Sequence, residues 1–176
     1  MKHNLLILIA LVALSACHPV NPPTPKPLPI EATLTLAKQK HYGQFYHNLP
    51  RSVFSLDFYS VGLSFDSLDY VQGSGINLYF SDIFMDPEAT TLADGTYILD
   101  SVASPFTFLP GMNIDGGITG AYVLLLQEAE LKKIYYVTSG SFTLATRGDT
   151  TDFSCHLMLD SKQSYDATYS GVLIRE

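Results

Sequence analysis

What this chain lacks narrows it before anything it contains. It has no tryptophan, two cysteines, and ten lysines and arginines against seventeen aspartates and glutamates, giving a net charge of −7. Two cysteines cannot build a disulfide framework, so the fold must rest on an apolar core. Positive charge is sparse, and Lys132-Lys133 is the one basic pair that stands out. Phosphate backbones are held by clustered Lys and Arg, which sets nucleic acid aside as a partner. No apolar run reaches the roughly 18 residues that a membrane-spanning helix needs.

The motifs of common enzymes are missing as well. There is no Gly-x-Ser-x-Gly nucleophile elbow, and Gly73-Ser74-Gly75 reads as a turn between two apolar strands. Phosphate-cradling loops of the P-loop or dinucleotide type are also missing. His41 and His47, with Gly43 between them, match no zinc spacing and read as surface histidines near a hairpin. Asp82, Asp86, Glu88 and Asp94 lack the spacing of a calcium loop and read as a solvated acidic stretch. Asp57 or Asp152 could be one member of a glycosidase carboxylate pair, but such pairs have no fixed sequence spacing and nothing singles either out. The expectation is a non-catalytic protein with no cofactor and no metal.

The first thirty residues carry the clearest signal. Lys2 is a basic start, Leu5 to Leu14 are ten continuous apolar residues, and Ser15-Ala16 are small residues before Cys17. That pattern is a secretory signal, too short for a permanent membrane span. The quartet Leu14-Ser15-Ala16-Cys17 resembles the lipobox of bacterial lipoproteins. The resemblance implies cleavage before Cys17, three acyl chains on Cys17 and attachment to the membrane by that N-terminal lipid. It also implies, from His18 where an aspartate would retain the protein at the inner membrane, an outer-membrane address with the periplasmic or surface face open. Two lipid signals already suffice for stable anchoring.

Prolines 19, 22, 23, 25, 27 and 29 then follow in quick succession. Each fixes φ and removes an amide donor, so the segment favours extended polyproline II and forms a semi-rigid tether of about 40 Å. The organisation is thus a signal peptide at 1–16, the lipidated cysteine and tether at 17–31, and one domain at 32–176. That domain is large enough to bury about two-thirds of its unfolded surface.

From Ala32 onward the period is two. Phe54, Leu56 and Phe58 alternate with Ser55 and Asp57, and Tyr165, Ala167 and Tyr169 alternate with Asp166, Thr168 and Ser170. Turn residues such as Asp94-Gly95 and Gly148-Asp149 punctuate the chain. The pattern predicts strands near 32–38, 41–46, 52–61, 75–84, 95–101, 105–109, 120–127, 133–146, 152–160 and 164–174. The last three read as a meander. Segment 121–131 could also form a short helix, but its Tyr, Val and flanking glycines favour a strand ending in a loop.

About 8–10 strands without helical interludes predict an all-β fold, an antiparallel β-sandwich, with a closed lipocalin-like β-barrel as the alternative. The Gly-x-Trp signature of lipocalins is missing, which favours the sandwich. In layout, with a leader, a proline tether and the turn Asp94-Gly95-Thr96-Tyr97, the chain is similar to small all-β lipoproteins of Gram-negative outer membranes.

Two features concern function. Cys155 shares parity with Phe153, Leu157 and Leu159 and reads as a small core residue. Tyr79, Tyr122 and Tyr136 fall opposite the apolar parity or in doubly apolar runs, and are candidate contacts for a ligand. The expected role is a lipid-anchored envelope protein with a binding or structural accessory function and a protein or glycan partner. The alternatives are a carrier of a small apolar ligand and, less favoured, an envelope glycan hydrolase.

Overall fold

The computed structural model describes residues 31–176; the expected signal peptide, Cys17 and the expected tether up to Ile30 lie outside the described residues. Within them the chain forms strands and no helix. The long strands are β1 (Glu31–Gly43), β2 (Ser52–Ser60), β5 (Gly75–Met85), β10 (Ala121–Gln127), β11 (Glu130–Arg147), β12 (Thr150–Leu159) and β13 (Ser164–Gly171). Shorter ones are β3 (Leu63–Phe65), β4 (Val71–Gly73), β6 (Gly95–Leu99), β7 (Thr107–Phe108), β8 (Met112–Ile114), β9 (Gly117–Thr119) and β14 (Ile174–Arg175). β3–β4 and β8–β9 are separate hairpins, and the rest form one large sheet.

The large sheet is all-β and sandwich-like, with β2 and β5 facing β11 and β12 across a filled core. Phe58 stacks on Phe153 at 4.1 Å, and Phe80 meets Phe142 at 4.8 Å. Phe142 in turn stacks on Tyr97 at 4.6 Å. β2 and β5 are not hydrogen-bonded neighbours of β11 and β12, so the rings of Phe58, Phe80, Phe142 and Phe153 fill the core between them, while Phe142 and Tyr97 are register partners on the adjacent strands β11 and β6. Each such pair adds roughly 0.5–1.5 kcal/mol beyond its area burial. A lipocalin-like barrel would keep a hollow where these rings sit.

Pairing departs from the expected antiparallel pattern in one informative way. β1 pairs in parallel with β13 and with β14, and β6 in parallel with β7. Following the partners from β1 through β2, β5, β10, β11, β12 and β13 leads back to β1. Strands that alternate direction around a circuit with an odd number of members must meet once in parallel, and β1–β13 is that seam. The circuit leaves few free edges, which protects the fold from edge-to-edge association.

Three other expectations are corrected. The segments 32–38 and 41–46 are one strand, because β1 continues through Lys40 and breaks only at Gly43, whose φ is +64°. β2 is buried on both faces, since Val53, Ser55 and Tyr59 are covered on its outer side. Asp82 does not lie in a solvated stretch. It is buried on β5, where its carboxylate accepts the Tyr46 hydroxyl at 2.5 Å, the Thr119 hydroxyl at 3.2 Å and the Ser81 hydroxyl. Segment 121–127 is a strand that ends in a turn, and β11–β12–β13 are consecutive neighbours, both as expected. Cys155 is buried in the core, and burial pushes its thiol up to about 12.

Candidate site on the outer face

Registers decide which outward side chains meet. Lys38 lies opposite Asp57, Asp57 opposite Tyr79, Tyr79 opposite Tyr122, and Tyr122 opposite Tyr136. One row therefore crosses β1, β2, β5, β10 and β11, and it contains all three tyrosines singled out in the sequence. All three are half-buried. The rings of Tyr79 and Tyr122 lie 5.1 Å apart at 39°. Tyr136 extends the row by register, and among the described residues no ring pair joins it to Tyr122.

Around the first half of this row the surface is concave. A cleft of about 210 Å3 is lined by Lys38, Gln39, Lys40, Tyr42, Ser55, Asp57, Tyr79 and Glu176. Tyr79 lines this cleft together with Ser55 and Tyr42. Burial raises the Tyr79 and Tyr122 pKa values, so both remain neutral donors. Tyr42 continues outward into an exposed aromatic cluster with Phe45 at 6.0 Å, which meets Tyr46 at 5.1 Å.

Asp57 is the unusual group. Burial lifts its carboxyl from 3.8 to about 6, against hydrogen bonds from Tyr59 and Asn77 and the attraction of Lys38, and with a further push from Glu176. Those two donors take different oxygens, Tyr59 on Oδ2 and Asn77 on Oδ1. Each oxygen keeps further accepting capacity.

The two lysines play different parts. Lys38 Nζ is held by Asp69 at 2.9 Å and Glu176 at 3.1 Å and lies 4.3 Å from the centre of the Phe65 ring. Burial opposes its charge, but the bonds to Asp69 and Glu176 outweigh it and its pKa is raised. Lys40 lies 5.4 Å from the Tyr42 ring centre and, among the described residues, has no carboxylate partner. The row is thus fixed at one end, with a loosely held ammonium beside it.

The other candidates do not join this site. His41 stacks on Phe54 at 4.5 Å with Ser52 Oγ 2.7 Å from Nε2, while His47 is exposed beyond the end of β1. Asp152 lies in a separate open groove of about 590 Å3 with Thr33, Thr35, Phe153 and Tyr169. There it accepts Ser170 Oγ at 2.7 Å and stands 3.7 Å from Arg147. Asp57 and Asp152 therefore do not face each other across one cleft. Among the described residues no three His, Cys, Asp or Glu side chains converge as metal ligands, and no helix is long and apolar enough to cross a membrane.

Reading the sequence alone missed Tyr42, Lys38, Lys40, Ser55 and Glu176, and left Asp57 undistinguished. The outward parity of β1 and β2 marks Lys38, Lys40, Ser55 and Asp57 as one surface, but only register shows which of them meet the tyrosines. No protein-family model, curated protein or solved structure matches the chain.

Proposed function

We propose that this is a lipid-anchored protein of the outer membrane whose outer face, along the row from Lys38 to Tyr136, binds an envelope component without catalysing a reaction. The observation that carries the reading is the half-buried Asp57. A carboxylate kept partly desolvated beside a surface cleft costs stability, and such perturbed groups gather at functional sites. Tyrosines beside it supply large contact area at low conformational cost, each with a polar tip.

A carrier of an apolar ligand gains no support, because the interior is occupied by Phe58, Phe80, Phe142 and Phe153. Anchoring through Cys17 fits the reading. A polyproline II tether over residues 18–30 would reach about 40 Å from the bilayer. The start of the row at Lys38 lies a further seven residues along β1, or roughly 23 Å of strand.

The test is site-specific photo-crosslinking of the full-length protein in its own cells. A photoreactive side chain at Tyr122 is expected to give a discrete adduct that the same group at exposed Thr143 does not. Equal labelling at both positions, or an adduct at Thr143 alone, would move binding away from the row.

A further inference from the structure

We infer that the cleft beside Asp57 receives one neutral, hydroxyl-rich ring, a monosaccharide-sized unit at the end or branch of a glycan. This rests on the binding reading above and names the ligand class.

The size argument comes first. At about 30 Å3 of liquid volume per water, 210 Å3 is room for roughly seven waters. That is below the usual range of drug-sized pockets, about 300–1,000 Å3, so the cleft suits one small ring.

The lining then fixes polarity. Its charged groups are Lys38 and Lys40 against Asp57 and Glu176, two of each sign. An anionic ligand would face both carboxylates, and a cationic one both ammonium groups. A neutral ligand that both donates and accepts hydrogen bonds satisfies the whole set. The Asp57 carboxylate takes one donor on each oxygen from Tyr59 and Asn77. The capacity left on its two adjacent oxygens suits two adjacent ligand hydroxyls, in the paired geometry that carboxylates accept best. Ser55, Tyr42 and Tyr79 add hydroxyls that donate or accept as required. The Tyr42 and Tyr79 rings supply apolar faces against which the carbon side of such a ring can lie.

The experiment uses the full-length protein in detergent micelles, titrated with neutral hexoses and short neutral glycans, with amino acids and short peptides in parallel. Ring resonances of Tyr42 and Tyr79 are the readout. Neutral sugars are expected to shift these resonances saturably. Asp57→Asn is expected to weaken binding at least about tenfold, as for loss of a charge-assisted hydrogen bond. Lys40→Gln, at an exposed position that leaves folding unaffected, is expected to weaken it several-fold, and Thr143→Ala to leave it unchanged.

Sugars that shift no resonance of the cleft would overturn the inference. So would equal binding by the wild type, Asp57→Asn and Lys40→Gln, or shifts produced by amino acids or peptides alone. A protein adduct at Tyr122 without any sugar response would retain the binding row and reject the sugar. Equal labelling at Tyr122 and Thr143 together with a sugar response in the cleft would keep the ligand class and reject the extended row.

Discussion

At the scale of single residues, the charge on Asp57 is disfavoured by the fold around it. Asp57 binds a proton more readily when folded than when unfolded, because its carboxyl is lifted from 3.8 to about 6. Tyr59, Asn77, Tyr79, Lys38 and Glu176 face it, and burial outweighs what Lys38 and the two donors contribute. Its contribution to stability is therefore complete below the unfolded value and is lost as pH rises through the folded one. Between about pH 4 and 6.5 the wild type should lose of order 2–3 kcal/mol, at roughly 1.4 kcal/mol per unit. Asp57→Asn should flatten that segment of a denaturant-midpoint against pH curve and raise the midpoint at pH 7. A wild-type curve that rises over that range would contradict the burial argument.

Two core tyrosines make a second test at this scale. Tyr97 donates its hydroxyl to the carbonyl of Ala93 at 2.7 Å, whereas the buried Tyr165 hydroxyl has no partner among the described residues. Tyr97→Phe should cost about 1 kcal/mol, while Tyr165→Phe should be neutral or slightly stabilising, by urea unfolding of each variant.

At the scale of elements, the strand pattern was readable because a period of two survives wherever one face is buried. Phe142, Leu144, Phe153, Leu157, Tyr165, Ala167 and Tyr169 all point inward, as their parity requires. The short hairpins β3–β4 and β8–β9 were not readable. Three residues a side carry no usable period, and their strand residues are partly or wholly exposed. The same limit hid half of the site. Tyr79, Tyr122 and Tyr136 could be picked by parity, but Asp57 gains its character from neighbours on other strands. Register, which no local pattern records, also runs through irregularities: β11 shifts its pairing with β12 between Val137 and Ser139.

Gly140 stands just after that shift with φ +123°, and a Cβ there would lie 2.3 Å from the carbonyl oxygen of His156. The position brings β11 from its pairing with β10 to its pairing with β6 along one edge. Gly140→Ala should therefore cost about 3 kcal/mol or more, combining steric overlap with backbone strain. Gly148→Ala, at φ +62° with open space around it, should cost only about 1–2 kcal/mol. Thermal midpoints of the two variants check the contrast, and equal losses would mean that β11 can shift without breaking its neighbours.

At the scale of the whole molecule, the proposed arrangement is a leader, a stiff tether and a filled β domain. The domain closes through its two ends in sequence, with β13 and β14 both laid along β1. Glu176 bonds to Gln39 through its backbone and to Lys38 through its side chain, so the C-terminal segment helps to shape the cleft. The segment that leads away from Glu31 is the one that would carry the anchor. On the proposed reading, binding at the row would occur at a fixed distance from the bilayer, which a stiff tether would provide and a flexible one would not.

The anchor is the claim on which this arrangement depends, and the mass of the N-terminal peptide of the protein taken from cell membranes tests it most directly. The account predicts a chain that begins at Cys17 and carries acyl groups, with Cys17→Ala abolishing both processing and membrane attachment. A mature chain with an unmodified Cys17 thiol, or wild-type protein free of the membrane, would contradict it.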